Sequence, residues 1–246
     1  MTPYKLTDES IQFNSKTLYR IELTEDCKWG KAGTKGGFIE TINNLTENAW
    51  VSDNAHVFGN AKVYGDAKVF SNAYVFGDAK VFSNAKVYGN ARVSSNAKVY
   101  GNAQVSGNAL VYGNALVSSN AQVSSNALVF GNAHVSGDAK VSGNAKVSGD
   151  AKVSVNAHVS GNAHVSGNAL VYGNAKVEKT SDYMTISSLG EISRIITITF
   201  SNKMISAGCF RGTLEELKAA VDKKYQGRGN YYPTIQYIEA LFNSIN

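Results

Sequence analysis

The sequence predicts an all-β solenoid, on three observations. From Val51 to Lys176 one six-residue pattern repeats 21 times without an insertion. Its Val position is Val in all 21 copies and its Ala position is Ala in all 21. A period of six fits neither the 3.6-residue helical turn nor a heptad, but it suits a short strand followed by a tight bend, stacked coil on coil.

Each repeat reads Val, a second residue (Phe, Tyr or Ser), a third (mostly Gly or Ser), a fourth (Asn in 17 copies, Asp at Asp66, Asp78, Asp138 and Asp150), Ala, and a variable sixth. Side chains alternate along a strand, so Val points inward while the sixth residue before it and the second after it point outward. Gly-Asn supplies the corner, since both residues visit positive φ cheaply, and stacked Asn amides can bond along the axis as a ladder. Ala points inward at the bend, where only a methyl fits.

This pattern resembles the hexapeptide repeat of left-handed parallel β-helix proteins, in which three hexads make one triangular coil. The resemblance implies the hand, because chirality rules alone favour right-handed crossovers. Twenty-one hexads then give about seven coils, a prism roughly 34 Å tall at about 4.8 Å per strand. The regular Asn-Ala-x-Val form, preceded by Gly36 to Glu40 and followed by Gly208 to Thr213, is similar to that of uncharacterised hexapeptide proteins of phages and prophages.

Residues 1–49 differ in composition and read as an N-terminal β cap: a strand over Leu18 to Leu23, a loop over Gly30 to Gly37 and an entry strand over Phe38 to Ile42. A cap is needed because the first coil would otherwise expose an apolar end, which Trp50 is placed to cover. The β-helix is assigned to 50–177. Residues 178–246 form a small α+β domain: strands over Tyr183 to Ser187, Ile192 to Phe200 and Lys203 to Ala207, a helix opened by the capping box Thr213-Leu-Glu-Glu216 and running to about Tyr225, a turn over Gly227 to Asn230, and a last helix from about Thr234 to Ile245.

Composition limits the function. Of 246 residues, 43% are apolar and 17% charged, which excludes wholesale disorder, and no apolar run approaches the roughly 20 residues needed to cross a bilayer. The N-terminus lacks a secretory pattern, and two cysteines cannot staple a secreted fold, so a soluble cytoplasmic protein is expected, in the host cytoplasm if phage-encoded. The net charge of +5 permits an anionic partner, and the repeat holds that excess, with ten Lys and Arg against five Asp. No membrane and no extended nucleic acid is expected as a partner.

A prism filled by Val and Ala leaves no internal cavity, so function falls to the outside. Sorted by an 18-residue coil, one outward face carries His56 and Phe58, Tyr74 and Phe76, Arg92, Leu110 and Tyr112, Leu128 and Phe130. It is the most apolar, and a stacked apolar ladder predicts burial between subunits. Similar hexapeptide proteins are usually three-fold symmetric, which implies a homotrimer. The second face carries Lys62 and Tyr64, Lys80 and Phe82, Lys98 and Tyr100; the third carries Lys68 and Phe70, Lys86 and Tyr88. Cations interleaved with rings suit a phosphate and a base, so these residues are candidates for an anionic nucleotide, although Lys on strand edges also serves solubility. Arg211, ahead of the capping box beside Cys209, is a further anion candidate.

Enzyme readings are weak. A hexapeptide acyltransferase, the alternative, would need a catalytic His and usually a loop over the acyl donor, but no loop interrupts the repeat. All four His (His56, His134, His158, His164) occupy the variable sixth position with no orienting partner evident. A zinc site of the hexapeptide carbonic anhydrase type fails because His158 and His164 fall on different faces of one chain. Ice binding fails because the repeat has no Thr. The sequence therefore predicts a non-catalytic trimeric binding protein without cofactor or metal, which sequesters an anionic nucleotide or captures a host protein. A passive spacer or virion component is a further alternative.

Overall fold

The structure, a computed structural model, describes residues 3–187, 195–226 and 231–244. In every repeat the sixth residue and Val form a two-residue strand, giving β4 to β25 from Trp50–Val51 to Lys176–Val177. Each pairs in parallel with strands 18 residues away, as Lys86 does with Lys68 and Gln104. Three sheets result, and the assignment of residues to faces holds throughout. The side chains of the Val and Ala positions, from Val51 to Val177, are all fully buried, so the prism is solid.

The corners divide their work differently from the expected Gly-Asn pair. The third residue alone takes positive φ, between 60° and 71° at the repeat glycines and 57° to 62° at the serines. A Cβ there points at the next coil: at Gly107 it would lie 2.8 Å from the Ser125 nitrogen. From Ser83 onward, every third residue bearing a Cβ stacks between two glycines, as Ser95 does between Gly77 and Gly113. The fourth residue instead builds the ladder, Asn90 Nδ2 donating to Asn108 Oδ1 at 3.1 Å and Asn108 to Asn126 at 3.0 Å. Asp138 and Asp150 each accept from the Asn of the coil before, at 2.9 Å; a carboxylate has no proton to pass on, so the ladder stops there.

There are about eight turns rather than seven. The extra coil lies within 1–49, where β3 (Lys35–Ile39) pairs Ile39 with Val57, and Leu45 bridges to Val63. Ile39 and Leu45 stand in the Val slot, so the sequence repeat is lost before the structural one. Gly37 takes the Ala slot there, where a methyl would lie 2.6 Å from the Ala55 carbonyl oxygen. The expected loop and entry strand are displaced accordingly, β3 starting at Lys35 and ending at Ile39.

A parallel stack has a polar sense: one end presents carbonyls and the other N–H groups, and each end is answered by matching chemistry. At the N-terminal end, β1 (Tyr4–Phe13) and β2 (Lys16–Leu23) form a hairpin whose turn, Asn14-Ser15, has positive φ at both residues, and β2 pairs antiparallel with β3. Donors meet the remaining carbonyls: Trp29 Nε1 reaches Asn48 O at 2.8 Å, Lys62 Nζ reaches Asn43 O at 2.8 Å, and the Tyr4 hydroxyl lies 2.8 Å from Leu45 O. Burial pushes the Tyr4 hydroxyl up to about 12, keeping it a donor. At the C-terminal end, acceptors meet the N–H groups. Thr180 Oγ1 takes His164, Tyr183 Oη takes Ser166, Thr197 Oγ1 takes Leu170, Ser201 Oγ takes Lys176, and Asp182 Oδ2 takes Glu178.

Those acceptors belong to the C-terminal α+β unit, an antiparallel sheet of β26 (Tyr183–Ser187), β27 (Ile195–Thr199), β28 (Met204–Ala207) and β29 (Phe210–Gly212) with helices α1 (Leu214–Tyr225) and α2 (Tyr231–Ser244). The capping box forms: Thr213 Oγ1 accepts from Glu216 N, and Glu216 Oε2 accepts from Thr213 N. Ile196, Ile198, Ile205, Leu217, Val221 and Ile238 make a core separate from the prism. The last helix starts at Tyr231, earlier than Thr234, with Pro233 in its first turn, where its missing N–H is no loss. Residues 192–194, the Gly227 to Asn230 turn and Ile245 lie outside the described residues.

Candidate functional site

The face carrying the interface candidates is built by the strands at 56, 74, 92, 110, 128, 146 and 164, extended at its N-terminal end by β3, β2 and β1. Its upper end is covered within the chain. Phe13, at the hairpin tip, lies 4.8 Å from the His56 ring, 5.5 Å from Phe58 and 5.3 Å from Tyr74, centroid to centroid. His56 and Phe58 are thereby left 8% and 6% exposed. Tyr74, Phe76, Leu110, Tyr112, Leu128 and Phe130 remain half-buried and Arg92 exposed, so the surface left for a partner is narrower than the sequence reading drew it. The strand missed by that reading, β1, alternates Ile11 and Phe13 before Asn14-Ser15, a period of two with a turn signal that could have revealed it.

The second-position rings form face-to-face stacks along the axis: Tyr64 on Phe82 at 4.8 Å, Phe82 on Tyr100 at 4.9 Å, Phe70 on Tyr88 at 4.8 Å, Phe58 on Phe76 and Tyr112 on Phe130 at 5.1 Å. In-register pairing forces this, because identical slots repeat every coil. Within a stack each ring face is occupied by the next ring, so a base finds a free π-face only where a stack ends.

The cation candidates separate into two groups. Lys62 is engaged with Asn43 O, and Lys68 lies 5.0 Å from the Phe70 centroid and 5.6 Å from that of Trp29. Lys80, Lys86 and Lys98 are exposed, Lys80 and Lys98 in direct register with each other. Arg211 donates from Nη1 to Gly208 O and Phe210 O at 2.6 Å and lies over Tyr172 at 5.7 Å, holding its own turn rather than facing outward. One of the α1 amides beside it, Glu216 N, is met by the Thr213 hydroxyl, and Glu215 and Glu216 place negative charge there. Cys209 is exposed.

The histidines stay apart from one another. His56 is held below its ordinary value by burial, as are His134, with the Lys152 ammonium adding to the effect, and His158, with those of Lys140 and Lys176. His164 Nε2 lies 3.2 Å from Ser148 Oγ. Among the described residues no three His, Cys, Asp or Glu gather where they could hold a metal ion, and no helix is long and apolar enough to cross a membrane.

Two consecutive stretches, residues 103–119 and 121–137, match the family model described as YdcK beta solenoid repeat. Each spans almost one 18-residue coil of the prism. No curated protein matches the chain. The matched coils and the in-register parallel sheets agree: the chain is a β-solenoid repeat protein, similar in those two coils to the YdcK solenoid repeat.

Proposed function

We propose that the protein is a non-catalytic binding module that associates as a homotrimer and holds an anionic partner on its outer side. The observation that carries this reading is the solid interior: every residue of the Val and Ala positions is fully buried and no loop interrupts the coils, so ligand and partner surfaces must be external. The half-buried patch of Leu110, Tyr112, Leu128 and Phe130 supports association, since apolar side chains stacked in register gain by being covered. The ammonium groups of Lys80, Lys86 and Lys98, which have no carboxylate partner among the described residues, support an anionic partner, since like charges in register repel until an anion lies between them. With the resemblance to phage-borne hexapeptide proteins, the role is to counteract a host function by withholding a small anionic nucleotide or capturing a host protein.

Sedimentation equilibrium tests the first half: a trimer is expected, and a Leu110→Glu, Leu128→Glu double variant becomes monomeric. A wild-type monomer at micromolar concentration overturns association. Isothermal titration with a nucleotide panel tests the second; no heat from any nucleotide removes sequestration and leaves capture of an acidic protein surface, which a lysate pull-down abolished by Lys80→Glu and Lys98→Glu supports.

A further inference from the structure

The ring column on the apolar face reads Phe58, Phe76, Ser94, Tyr112, Phe130 in successive coils. Phe58 and Phe76 are stacked at 5.1 Å with 2° between their planes, and Tyr112 and Phe130 repeat the same geometry. Between the two stacks stands Ser94, locked in register by Phe76 N to Val93 O and Ser94 N to Val111 O, both 3.0 Å. One ring is thus skipped. Two strand steps separate Phe76 from Tyr112, about 9.6 Å, which admits one further ring plane at the spacing the column already uses and does not admit two. On the other two faces the rings give way to runs of two or more serines, so this single-rung gap has no equivalent there.

Beside the gap lies a cation. Arg92 is two residues before Ser94 and so projects from the same face, its guanidinium 5.4 Å from the Tyr74 centroid. It is exposed, and among the described residues it has no carboxylate partner. Arg92 and Phe76 also line, with Phe13, Asn14, Phe58 and Tyr74, a neighbouring open cleft of about 250 Å³ that Ser94 and Tyr112 do not line.

We propose that the rung at Ser94 is a binding site for a planar aromatic anion: the ring enters between Phe76 and Tyr112, and its carboxylate or phosphate pairs with Arg92. Stacking on both faces supplies affinity for any flat π-system, and the fixed fork of the guanidinium selects those with an oxyanion at the ring's edge. The site rests on the binding-module reading above and sets a place for an aromatic anion on the apolar face, apart from the Lys80, Lys86 and Lys98 ammonium groups. It is complete within one chain and borders the association patch, sharing Tyr112 with it.

The experiment is isothermal titration with phenyl phosphate and with adenosine monophosphate, against adenosine and inorganic phosphate as ring-only and charge-only controls. Both aromatic phosphates are expected to bind at least about tenfold more tightly than either control. A stronger response to adenosine monophosphate identifies a nucleotide, an equal response a smaller aromatic acid. Arg92→Gln is expected to weaken binding about tenfold, and Ser94→Tyr, which completes the column with a residue it already carries at Tyr112, to abolish it. Sedimentation of each variant reads association separately from ligand. Full binding by Ser94→Tyr, a control binding as tightly as the aromatic phosphates, or no binding of either probe at low millimolar concentration overturns the proposal, and none of these touches the trimer.

Discussion

Thr197 Oγ1 accepts the backbone N–H of Leu170 at 2.9 Å, so a hydroxyl from the C-terminal sheet stands where the next coil's carbonyl would be. Repetition alone would let the stack continue into a second molecule. Thr197→Val keeps the shape and leaves that N–H without its acceptor, a cost of about 1–3 kcal/mol. Combined with Ser201→Ala, which frees Lys176 N, two of the three lower sheet edges are opened. The double variant is expected to form end-to-end oligomers that grow with concentration, read by light scattering; a species unchanged in size means these hydroxyls do not block stacking.

Asn44 does at the other end what a backbone amide does elsewhere. In the regular coils the sixth residue's N–H donates to the Ala-slot carbonyl of the next coil, but Asn44 N turns to Thr41 O, and Asn44 Nδ2 takes over Ala61 O at 2.9 Å and also meets Gly59 O at 2.9 Å. Its Oδ1 accepts from Thr41 N at 2.8 Å. Asn44→Leu forfeits all three bonds in a buried position, for an expected loss of about 2–4 kcal/mol in chemical denaturation. A loss below about 0.5 kcal/mol indicates that the first coil is not coupled to the rest.

Val155 is the one β-branched residue at a corner, held at φ 63° and 37% exposed. A branched Cβ in the left-handed region costs about 1–2 kcal/mol, and little burial is gained in return. Val155→Gly restores the glycine found at Gly137 and Gly173 in the same column, and is expected to stabilise by about 1 kcal/mol after glycine's extra chain entropy is deducted. Thermal unfolding should shift upward by about 2–4 °C. An unchanged or lower midpoint means that the backbone at 155 carries no strain.

The periodicity made the prism legible: each Val, each Ala and each face could be assigned from spacing, because an 18-residue register leaves no freedom once the corner is fixed. What was hidden follows from the same logic. The first coil keeps the geometry but not the letters, since Ile39, Leu45 and Gly37 satisfy the slots without matching the repeat. Phe13 could not be placed over His56 from spacing, because a hairpin folding back on a face is a long-range contact. The occupied ring faces also escaped a reading that counted aromatics along the chain and did not stack them in space.

The contact of Phe13 with His56 has a consequence in pH. His56 is 8% exposed, its Nδ1 has no hydrogen-bond partner among the described residues, and rings surround it: Phe13, Phe38 at 5.6 Å and Tyr74 at 5.0 Å. The charges nearest this shell are cationic, Arg20 over Phe38 at 4.2 Å and Arg92 over Tyr74; the Glu9 carboxylate is drawn to Arg20 and Lys35. Burial holds the imidazole below its ordinary 6.5. The unfolded chain therefore takes up a proton first as pH falls through 6.5, and stability present above that value is lost on the way down to the lower folded one. Cooling of the melting midpoint between about pH 7.5 and about pH 5.5 should be smaller in His56→Leu than in the wild type. His134 and His158 titrate in both proteins, so the difference isolates His56. Glu9, Glu40 and Asp66 are held below their ordinary values by lysine and arginine partners and matter only at lower pH. Amide exchange in β1 and β2 should accelerate in the same window, because protonation acts on the seat of Phe13. Parallel slopes in the two proteins, with no change in hairpin exchange, mean that the buried imidazole does not set the acid sensitivity of the cap.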